Sequence, residues 1–220
     1  ECINYLIDSD IVVTNPPFSK FTELFSLITK YDKQYLLISN QNAITYKEIF
    51  PYIKNNKARV GYHFGDMAFR VPDDTEPRKT RFWVDEFGQK WRSLGNAMWL
   101  TNLEVSNDSG KKLVLTHSFK KENYPKYDNF DAVHVYRVSE IPMDYYGIMG
   151  VPLTYLKYHN DEMFEIVGEA NHGSDNEYDL FKPQINGKET FKRILIKRRK
   201  RDKRMEFRIL DLFCGAGGMS

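Results

Sequence analysis

Short apolar runs alternate with an amphipathic stretch in the first part of the chain. Residues 11–13 are β-branched, and this run must end at Thr14 or Asn15 because the two prolines that follow cannot donate to a β-ladder. Residues 21–28 carry apolar side chains at helical spacing, with Ser19 as the candidate N-cap, and residues 34–39 form a second apolar run. The pattern predicts a buried central strand, a helix and a second parallel strand, which together make one α/β unit.

The same periodicities predict further elements on both sides of this unit. Residues 1–9 are expected to be the end of a helix or a turn, residues 46–54 a second helix and residues 58–63 another strand. From residue 65 onward, glycine and proline break the apolar segments, which favours antiparallel strands joined by long loops. Further strands are predicted at residues 112–119, 132–138, 164–167 and 191–197, and loops at residues 120–131, 141–155 and 170–179.

Asn15, Pro16, Pro17 and Phe18 follow the first predicted strand and are candidates for a binding site. In open α/β sheets, ligands bind at the carboxyl ends of the strands. The prolines fix the backbone and lack N–H donors, so the Asn15 side chain and the Asn15 and Pro16 carbonyls remain as preset acceptors beside the Phe18 ring. Two acceptors and an aromatic face suit a planar amine, such as that of adenine. The alternative is a plain turn, in which Asn15 is a cap and Phe18 returns to the core.

The Asn-Pro-Pro-Phe sequence after an apolar strand resembles the catalytic motif of amino-DNA methyltransferases. Four blocks narrow the resemblance to the EcoRI-type adenine-specific family: DIVVTNPPFSKF, NAITYKEIFPYIKNN, GNAMWLTNL and GIMGVPLTYL. The resemblance implies a partial Rossmann-like methyltransferase sheet, S-adenosyl-L-methionine as cofactor and double-stranded DNA as substrate. It also implies that a flipped adenine stacks on Phe18 and is held by Asn15 and the Pro16 carbonyl. The family pattern includes an upstream glycine-rich turn and an acidic residue, and nothing before Asp10 can supply them.

A second motif stands at the end of the chain. Residues 207–212 are a new apolar run, and the string DLFCGAGGMS resembles the S-adenosylmethionine motif that opens cytosine-5 DNA methyltransferases. By that resemblance, Asp211, Phe213, Gly215 and Gly217 contact the cofactor. A glycine-rich turn alone indicates only close approach to a nucleotide-like ligand. Cys214 lies within the glycine loop and is not expected to be a nucleophile.

These patterns predict an α/β fold class with four segments. Residues 1–64 are expected to be the catalytic part of an incomplete adenine methyltransferase domain, and residues 65–197 a β-rich continuation with the DNA-recognition region. Residues 198–204 are expected to be a basic linker, and residues 205–220 the start of a cytosine-5-type domain.

The leading hypothesis is N6-adenine methylation in DNA by a segment of a bifunctional restriction-modification methyltransferase, which implies a cognate restriction endonuclease. Two alternatives remain open. One is a single permuted amino-methyltransferase that uses the C-terminal glycine motif. The other is a catalytically inactive DNA-binding remnant.

Charge and cysteine content add limits to this picture. The formal net charge is +2, but residues 188–208 carry eleven Lys and Arg against three acidic residues, so any DNA-binding surface must be local. No apolar run approaches the ~20 residues of a membrane span, and cytoplasmic localisation is the simple expectation. Cys2 and Cys214 are the two cysteines, and the five histidines show no paired helical spacing. Neither a disulfide framework nor a metal site is predicted.

Basic and aromatic residues alternate between residues 69 and 92. Such a pattern can line a nucleic-acid cleft, with cations on phosphates and rings on bases or sugars. A solvated strand face above core aromatics gives nearly the same pattern, and the segment alone favours this second interpretation. The basic residues are Arg70, Arg78, Lys79, Arg81, Lys90 and Arg92, interleaved with Phe69, Phe82, Trp83, Phe87 and Trp91.

Overall fold

A computed structural model describes residues 2–104, 113–170 and 182–200, and within these ranges the fold is mixed α/β and mostly strand. The helices are α1 (Cys2–Asp8), α2 (Phe21–Lys30) and α3 (Phe50–Lys54). The strands are β1 (Ile11–Thr14), β2 (Gln34–Asn40), β3 (Arg59–Arg70), β4 (Phe82–Val84), β5 (Lys90–Thr101), β6 (Val133–His134), β7 (Ile148–Val151), β8 (Phe164–Ala170), β9 (Gln184–Ile185), β10 (Lys188–Glu189) and β11 (Arg193–Arg198). They form a five-stranded sheet, a four-stranded sheet and a two-stranded hairpin.

The β1–α2–β2 unit predicted from the sequence is confirmed. β1 pairs with β2 in parallel, and α2 connects the two strands. The apolar stripe of α2 faces the core, where the fully buried Phe25 ring meets Tyr35 and Tyr52 edge to face, at 5.6 and 5.3 Å between ring centroids. Burial of this stripe holds the helix against the sheet.

The prediction that the first strand is buried at the centre of a sheet is wrong for the described residues. The sheet order is β1-β2-β5-β3, with β4 paired to β5, so β1 lies at an edge. Ile11 and Val13 are 41% and 61% exposed, whereas Val12 packs against the core. The strand buries one face because no element in the described ranges covers the other.

β5 joins the two halves of this sheet. Its C-terminal half pairs antiparallel with β2, with Ala97 opposite Asn40 and Thr101 opposite Leu36, and it also pairs with β3. The antiparallel strands predicted after residue 65 are confirmed, but they belong to the same sheet as β1 and β2. The boundary predicted between residues 64 and 65 falls inside β3.

The helix starts differ from the prediction at two places. Ser19 does not cap α2, because residues 18–20 form a short 3₁₀ turn and Lys20 takes the N-cap position without a side-chain bond. α3 begins at Phe50 instead of residue 46, with Pro51 in its first turn. Proline has no N–H to bond to a preceding turn, so a helix accommodates it at the start and not in the interior.

The four-stranded sheet has the order β6-β7-β11-β8. β8 and β11 confirm two predicted strands, and β6 is a shorter version of the strand expected at residues 132–138. The strand expected at residues 112–119 is wrong in its described part, where His117 forms only an isolated bridge with Pro142. Leu113, Leu115 and Phe119 still pack against the core, so the segment buries apolar side chains without joining a ladder in its described part.

β7 lies within residues 141–155, a stretch that the sequence predicts to be a loop. This prediction is wrong because Gly150 has a packing role: a Cβ at this position would collide with the Tyr127 hydroxyl. The loop expected at residues 120–131 is confirmed, with a 3₁₀ turn at Lys121–Asn123. The loop expected at residues 170–179 lies outside the described residues, apart from Ala170.

A buried chain of hydrogen bonds crosses the second sheet. A guanidinium can only donate, so the Arg193 Nη2 contact at 3.5 Å makes His134 Nε2 an acceptor and leaves the proton on Nδ1. Nδ1 donates to the Tyr127 hydroxyl at 2.8 Å, and that hydroxyl donates to the Gly150 carbonyl at 3.4 Å. Burial, together with the Arg193 charge, lowers the pKa of His134 to about 4. The imidazole is held neutral.

Phe25→Ala is expected to lower the free energy of unfolding by about 3–5 kcal/mol, because it removes a fully buried ring and leaves a cavity. Urea denaturation followed by circular dichroism measures the loss. Phe87→Ala is the matched control, since that ring is 79% exposed and its removal should change stability by less than about 0.5 kcal/mol. Equal losses for the two variants would contradict the core position of Phe25.

His134 should make stability depend on pH. The unfolded chain protonates this imidazole below about pH 6.5, whereas the folded protein does so only near pH 4. Between these values the unfolded state binds more protons, so the contribution of His134 is complete above pH 6.5 and is lost as the pH falls towards 4. The loss is at most about 3 kcal/mol.

The measurement is the difference in free energy of unfolding between wild type and His134→Gln across this pH range. The comparison removes the contributions of other titrating groups, so the difference should narrow as the pH falls from 6.5 to 4. A difference that does not change with pH would show that His134 is not held neutral.

Candidate functional site

The carboxyl ends of β1 and β2 lie at one edge of the five-stranded sheet, because the two strands are parallel. Asn15 follows β1 directly, and Asn40 is the last residue of β2. We call residues 15–18 and 40–45 the carboxyl edge. The sequence predicts this juxtaposition, since both polar segments follow apolar runs of one α/β unit.

The Asn-Pro-Pro-Phe turn exposes Asn15 and the Phe18 ring on either side of a buried proline. Asn15 is exposed, Pro16 is buried and Phe18 is 53% exposed. The Pro17 carbonyl accepts from the Lys20 amide at 2.9 Å. Among the described residues, the Pro16 carbonyl and the Asn15 side-chain amide have no hydrogen-bond partner. The geometry disfavours the plain-turn alternative, in which Phe18 is buried and the Asn15 side chain is a cap.

The turn after β2 is tied both to itself and to the segment before β11. Asn40 Oδ1 accepts from the Asn42 amide at 2.9 Å, and Thr45 Oγ1 donates to the Asn42 carbonyl at 3.1 Å. Lys192 Nζ lies 3.2 Å from Thr45 Oγ1. The sequence does not reveal this last contact, because 147 residues separate the two side chains and a lysine in a basic run gives no sign of its partner.

Lys192 also lies close to Glu169, a buried carboxyl of β8. Burial raises the pKa of Glu169 to about 8, against the opposing effect of the Lys192 ammonium. Burial likewise lowers the pKa of Lys192, against the effect of the Glu169 charge. Desolvation is the larger influence on both groups, so each favours its neutral form more than it does in water. A titratable pair therefore borders the carboxyl edge.

β3, β4 and β5 extend beyond the carboxyl edge as a three-stranded ribbon, formed by residues 66–70, 82–84 and 90–96. β2 ends at Asn40 opposite Ala97, whereas β5 begins at Lys90. Roughly 24 Å of β5 therefore lies past its last pair with β2. Because β5 is antiparallel to β2, the ribbon projects on the side of the sheet where Asn15 lies.

The aromatic residues of the ribbon are divided between packing and exposure. Trp83 and Trp91 are paired across β4 and β5, and their rings stack with centroids 6.4 Å apart. Trp83 is nevertheless exposed, as are Phe69 and, in the turn between β4 and β5, Phe87. The ribbon thus holds rings that a partner can contact beside a stacked pair that stabilises it.

Asp85 organises the turn between β4 and β5. Its Oδ1 accepts from the amides of Phe87 and Gln89 at 3.0 and 2.9 Å, and its Oδ2 accepts from Trp91 Nε1 at 2.8 Å. These hydrogen bonds, the one from Trp91 above all, lower the pKa of the Asp85 carboxyl. One carboxylate therefore fixes both the turn and the inner tryptophan.

The residues predicted to contact a cofactor, Asp211, Phe213, Gly215 and Gly217, lie outside the described residues. In residues 2–104, 113–170 and 182–200, no group of three or more His, Cys, Asp or Glu side chains could hold a metal ion. None of the helices in those ranges is long and apolar enough to cross a membrane.

Comparison with known proteins identifies one family and several relatives. The family model "Adenine-specific methyltransferase EcoRI" matches residues 1–209. The type II methyltransferase M.EcoRI of Escherichia coli is 46% identical over 207 residues, which are 92% of this chain and 62% of that protein. Two further type II methyltransferases are M.MgeORF184P of Mycoplasma genitalium and M.MpnI of Mycoplasma pneumoniae. They are 38% and 36% identical over 76% of this chain and 54% of their own lengths.

The chain spans between 54% and 62% of the length of the curated relatives it matches. The family model covers the carboxyl edge and the ribbon, and it ends before the glycine motif at residues 211–218. No solved structure matches the chain.

Asp85→Ala is expected to loosen the tip of the ribbon, because three donors lose their acceptor. Hydrogen exchange should become faster at the backbone amides of Phe87 and Gln89 and at the indole N–H of Trp91, and amide exchange should stay unchanged in β2. Glu86→Ala is the matched control, since Glu86 is the next residue, is exposed and accepts none of these bonds. If the two variants exchange at equal rates, Asp85 does not organise the turn.

Proposed function

Because the chain belongs to the EcoRI-type adenine-specific methyltransferase family, we propose that it acts in transferring a methyl group to the N6 amine of adenine in double-stranded DNA. The observation that carries the proposal is the carboxyl edge. There the Asn15 side chain and the Phe18 ring are exposed at the end of a strand, and the Pro16 carbonyl between them has no hydrogen-bond partner among the described residues.

The Asn-Pro-Pro-Phe turn supplies what an exocyclic amine needs. Asn15 Oδ1 and the Pro16 carbonyl accept the two N6–H bonds, and Phe18 stacks on the purine. The amine is a poor nucleophile because its lone pair is delocalised into the ring. Accepting both N–H bonds favours the pyramidal nitrogen and directs the lone pair towards an electrophile, which stabilises the transition state more than the ground state.

The target base must leave the duplex to reach this turn. Its exocyclic nitrogen is inaccessible within the stacked helix, so the enzyme rotates the nucleotide into the pocket. The half-exposed Phe18 and the exposed Asn15 suit a pocket that receives a base from solvent. The ribbon lies on the same side and carries Arg70, Lys90 and Arg92, so we assign it to the DNA-recognition region.

S-adenosyl-L-methionine, when bound, supplies an electrophilic methyl group. The described residues provide hydrogen-bond acceptors for the amine and a stacking surface for the base. They therefore account for binding of the adenine, which is one of the two reactants. The sheet order, with parallel β1 and β2 beside antiparallel β5, supports a partial Rossmann-like methyltransferase sheet.

We propose the same division of the chain into segments that the sequence predicts. Residues 1–64 form the catalytic part, residues 65–197 continue into DNA recognition, residues 198–204 link, and residues 205–220 open a cytosine-5-type domain in which Asp211, Phe213, Gly215 and Gly217 contact the cofactor. Such a bifunctional enzyme works in the cytoplasm beside a cognate restriction endonuclease. Its type II relatives support this setting.

Asn15→Ala, made in the complete polypeptide, is expected to lower transfer of radiolabelled methyl groups to adenine in duplex DNA by roughly 100-fold or more, because one of two acceptors for the amine is lost. Ser19→Ala is the control, since Ser19 lies in the adjacent 3₁₀ turn with an exposed side chain and should leave the rate unchanged. Undiminished methylation by the Asn15 variant would overturn the proposal. A wild-type protein that binds DNA with steep salt dependence but transfers no methyl group would favour the inactive remnant.

Phe18→Ala should weaken the complex with the flipped adenine, by about 1–3 kcal/mol, and leave cofactor affinity nearly unchanged. Fluorescence of 2-aminopurine at the target position reports the first quantity, and equilibrium dialysis of the cofactor reports the second. Equal losses in both would argue against stacking of the base on Phe18.

A further inference from the structure

The ribbon leaves the five-stranded sheet through a β-bulge in β5. Asp66 of β3 pairs with Asn96, and the next recorded pair joins Ala68 to Ser93, so β5 carries one residue more than β3 between these two pairs. Gly95 lies within the bulge and has a left-handed backbone, with φ of 71°. An extra residue bends its strand and increases the local twist. The bulge therefore sets the direction in which the ribbon leaves the sheet.

The bulge lies next to the carboxyl edge. The last pair between β2 and β5 joins Asn40 to Ala97, and Gly95 is two residues before Ala97. Past that pair, β5 is bonded only to β3 and to the short β4 among the described residues. A change of about 20° at the bulge would move the start of β5, roughly 17 Å away, by about 6 Å, which is nearly two base-pair steps. The geometry of the bulge thus decides where the ribbon can meet a duplex.

Asp66 supplies an acceptor to the bulge from β3. Its Oδ1 accepts from the Gly95 amide at 2.8 Å and also from the Ser93 hydroxyl. The Ser93 oxygen lies 3.2 Å from the same amide and is the more distant acceptor. A bulge interrupts the ladder, so a buried backbone amide within it needs a partner from outside the ladder. The Asp66 carboxylate replaces the missing ladder bond.

Arg81 supplies a donor to the bulge from the other side of β5. Its carbonyl accepts from the Ser93 amide at 3.0 Å, and its Nη1 donates to the Leu94 carbonyl at 3.3 Å. The guanidinium occupies the space where a Cβ of Gly95 would stand. Glycine is therefore required at position 95 both by the left-handed backbone and by the side chain packed on it. One acidic and one basic side chain hold the bulge from its two sides.

We propose that Asp66 and Arg81 are positioning residues, which hold the bulge in one geometry and so aim the ribbon at a duplex whose target adenine is bound at residues 15–18. This inference rests on the proposed function, in which the ribbon belongs to the DNA-recognition region. Neither side chain has to touch DNA for this role. A ribbon held in its binding orientation before DNA arrives avoids the cost of ordering it on binding.

The charge of Asp66 distinguishes positioning from direct electrostatics. Asp66 is an exposed acidic residue of the ribbon. A carboxylate near DNA repels the phosphates, so its removal should by itself tighten binding. Positioning predicts a change of the opposite sign, because the ribbon loses its fixed direction. The sign of the change in affinity therefore separates the two effects.

Asp66→Ala, made in the complete polypeptide, is expected to raise the Kd for a duplex with the mapped methylation site roughly 10-fold. Fluorescence anisotropy of the labelled duplex measures Kd. The kcat at saturating DNA should stay nearly unchanged, because the turn at residues 15–18 is untouched. Asp66→Asn keeps Oδ1 as an acceptor without the charge and should recover most of the affinity. Asp74→Ala is the matched control, since Asp74 is an exposed acidic residue between β3 and β4 that accepts none of these bonds, and its loss should leave Kd unchanged or slightly lower.

A second measurement follows the direction of the ribbon without DNA. Spin labels attached at Phe87→Cys and Ser19→Cys, in a background without other cysteines, report the distance between the turn after β4 and the carboxyl edge. The wild type and Asp66→Asn should give one narrow distribution of distances. Asp66→Ala should give a broader or shifted distribution. Gly95→Ala should do the same, because a Cβ there strains the backbone and displaces the guanidinium.

Each outcome decides the question. Weaker binding by Asp66→Ala with unchanged kcat, an altered distance distribution and recovery in Asp66→Asn support the proposal. An unchanged or lower Kd, an unchanged distribution, a proportional loss of kcat, or equal losses in the Asn and Ala variants overturn it. If Asp66→Ala does not fold, Gly95→Ala takes its place in both measurements. If the wild-type polypeptide binds DNA without methylating adenine, the proposed function fails, while Kd and the label distances still decide the role of Asp66.

Discussion

The carboxyl edge depends on the backbone pairing of β5. This strand pairs with β2 through its last five residues, with β3 along most of its length and with β4 at its start. A shift of one residue in this pairing would move Met98 and Leu100, which are fully buried, to the opposite face of the sheet. The register is therefore fixed by the core, and with it the position of the ribbon relative to Asn40.

Three parts of the chain meet at this edge, and each arrives for a different physical reason. Two prolines end β1 because they cannot donate to a ladder, which leaves Asn15 at the end of the strand. The Asn40 side chain closes the turn after β2 by accepting from a backbone amide. Lys192 contacts Thr45 and interacts with the buried Glu169 carboxyl, and these interactions hold the start of β11 next to the turn after β2. Local sequence determines the positions of Asn15 and of the turn after β2, whereas tertiary packing determines the position of Lys192.

This difference explains how far the sequence predicts the molecule. The β1–α2–β2 unit and the placement of residues 15–18 at a strand end follow from periodicity and proline chemistry, which act over a few residues. β7 is not predicted, because a glycine at position 150 is typical of a loop. Its structural role, which is to leave room for the Tyr127 side chain, depends on a tertiary contact that the local sequence does not show. The exposure of one face of β1 is not predicted either, since a β-branched run is compatible with both a central and an edge strand. The contact between Lys192 and Thr45 gives no signal in the sequence, because it joins side chains that are 147 residues apart.

The long separation between paired strands also has a consequence for synthesis. β2 leaves the ribosome about 60 residues before the end of β5, so at ~5–20 residues per second it waits roughly 3–12 seconds for the neighbour that completes its hydrogen bonds. During that interval the β1–α2–β2 unit presents an unprotected strand to other nascent chains and to chaperones. An insertion between residues 76 and 80, in the connection between β3 and β4, would lengthen the interval and would leave in place the bonds that Val71, Asp73, Thr75 and Arg81 make to β5.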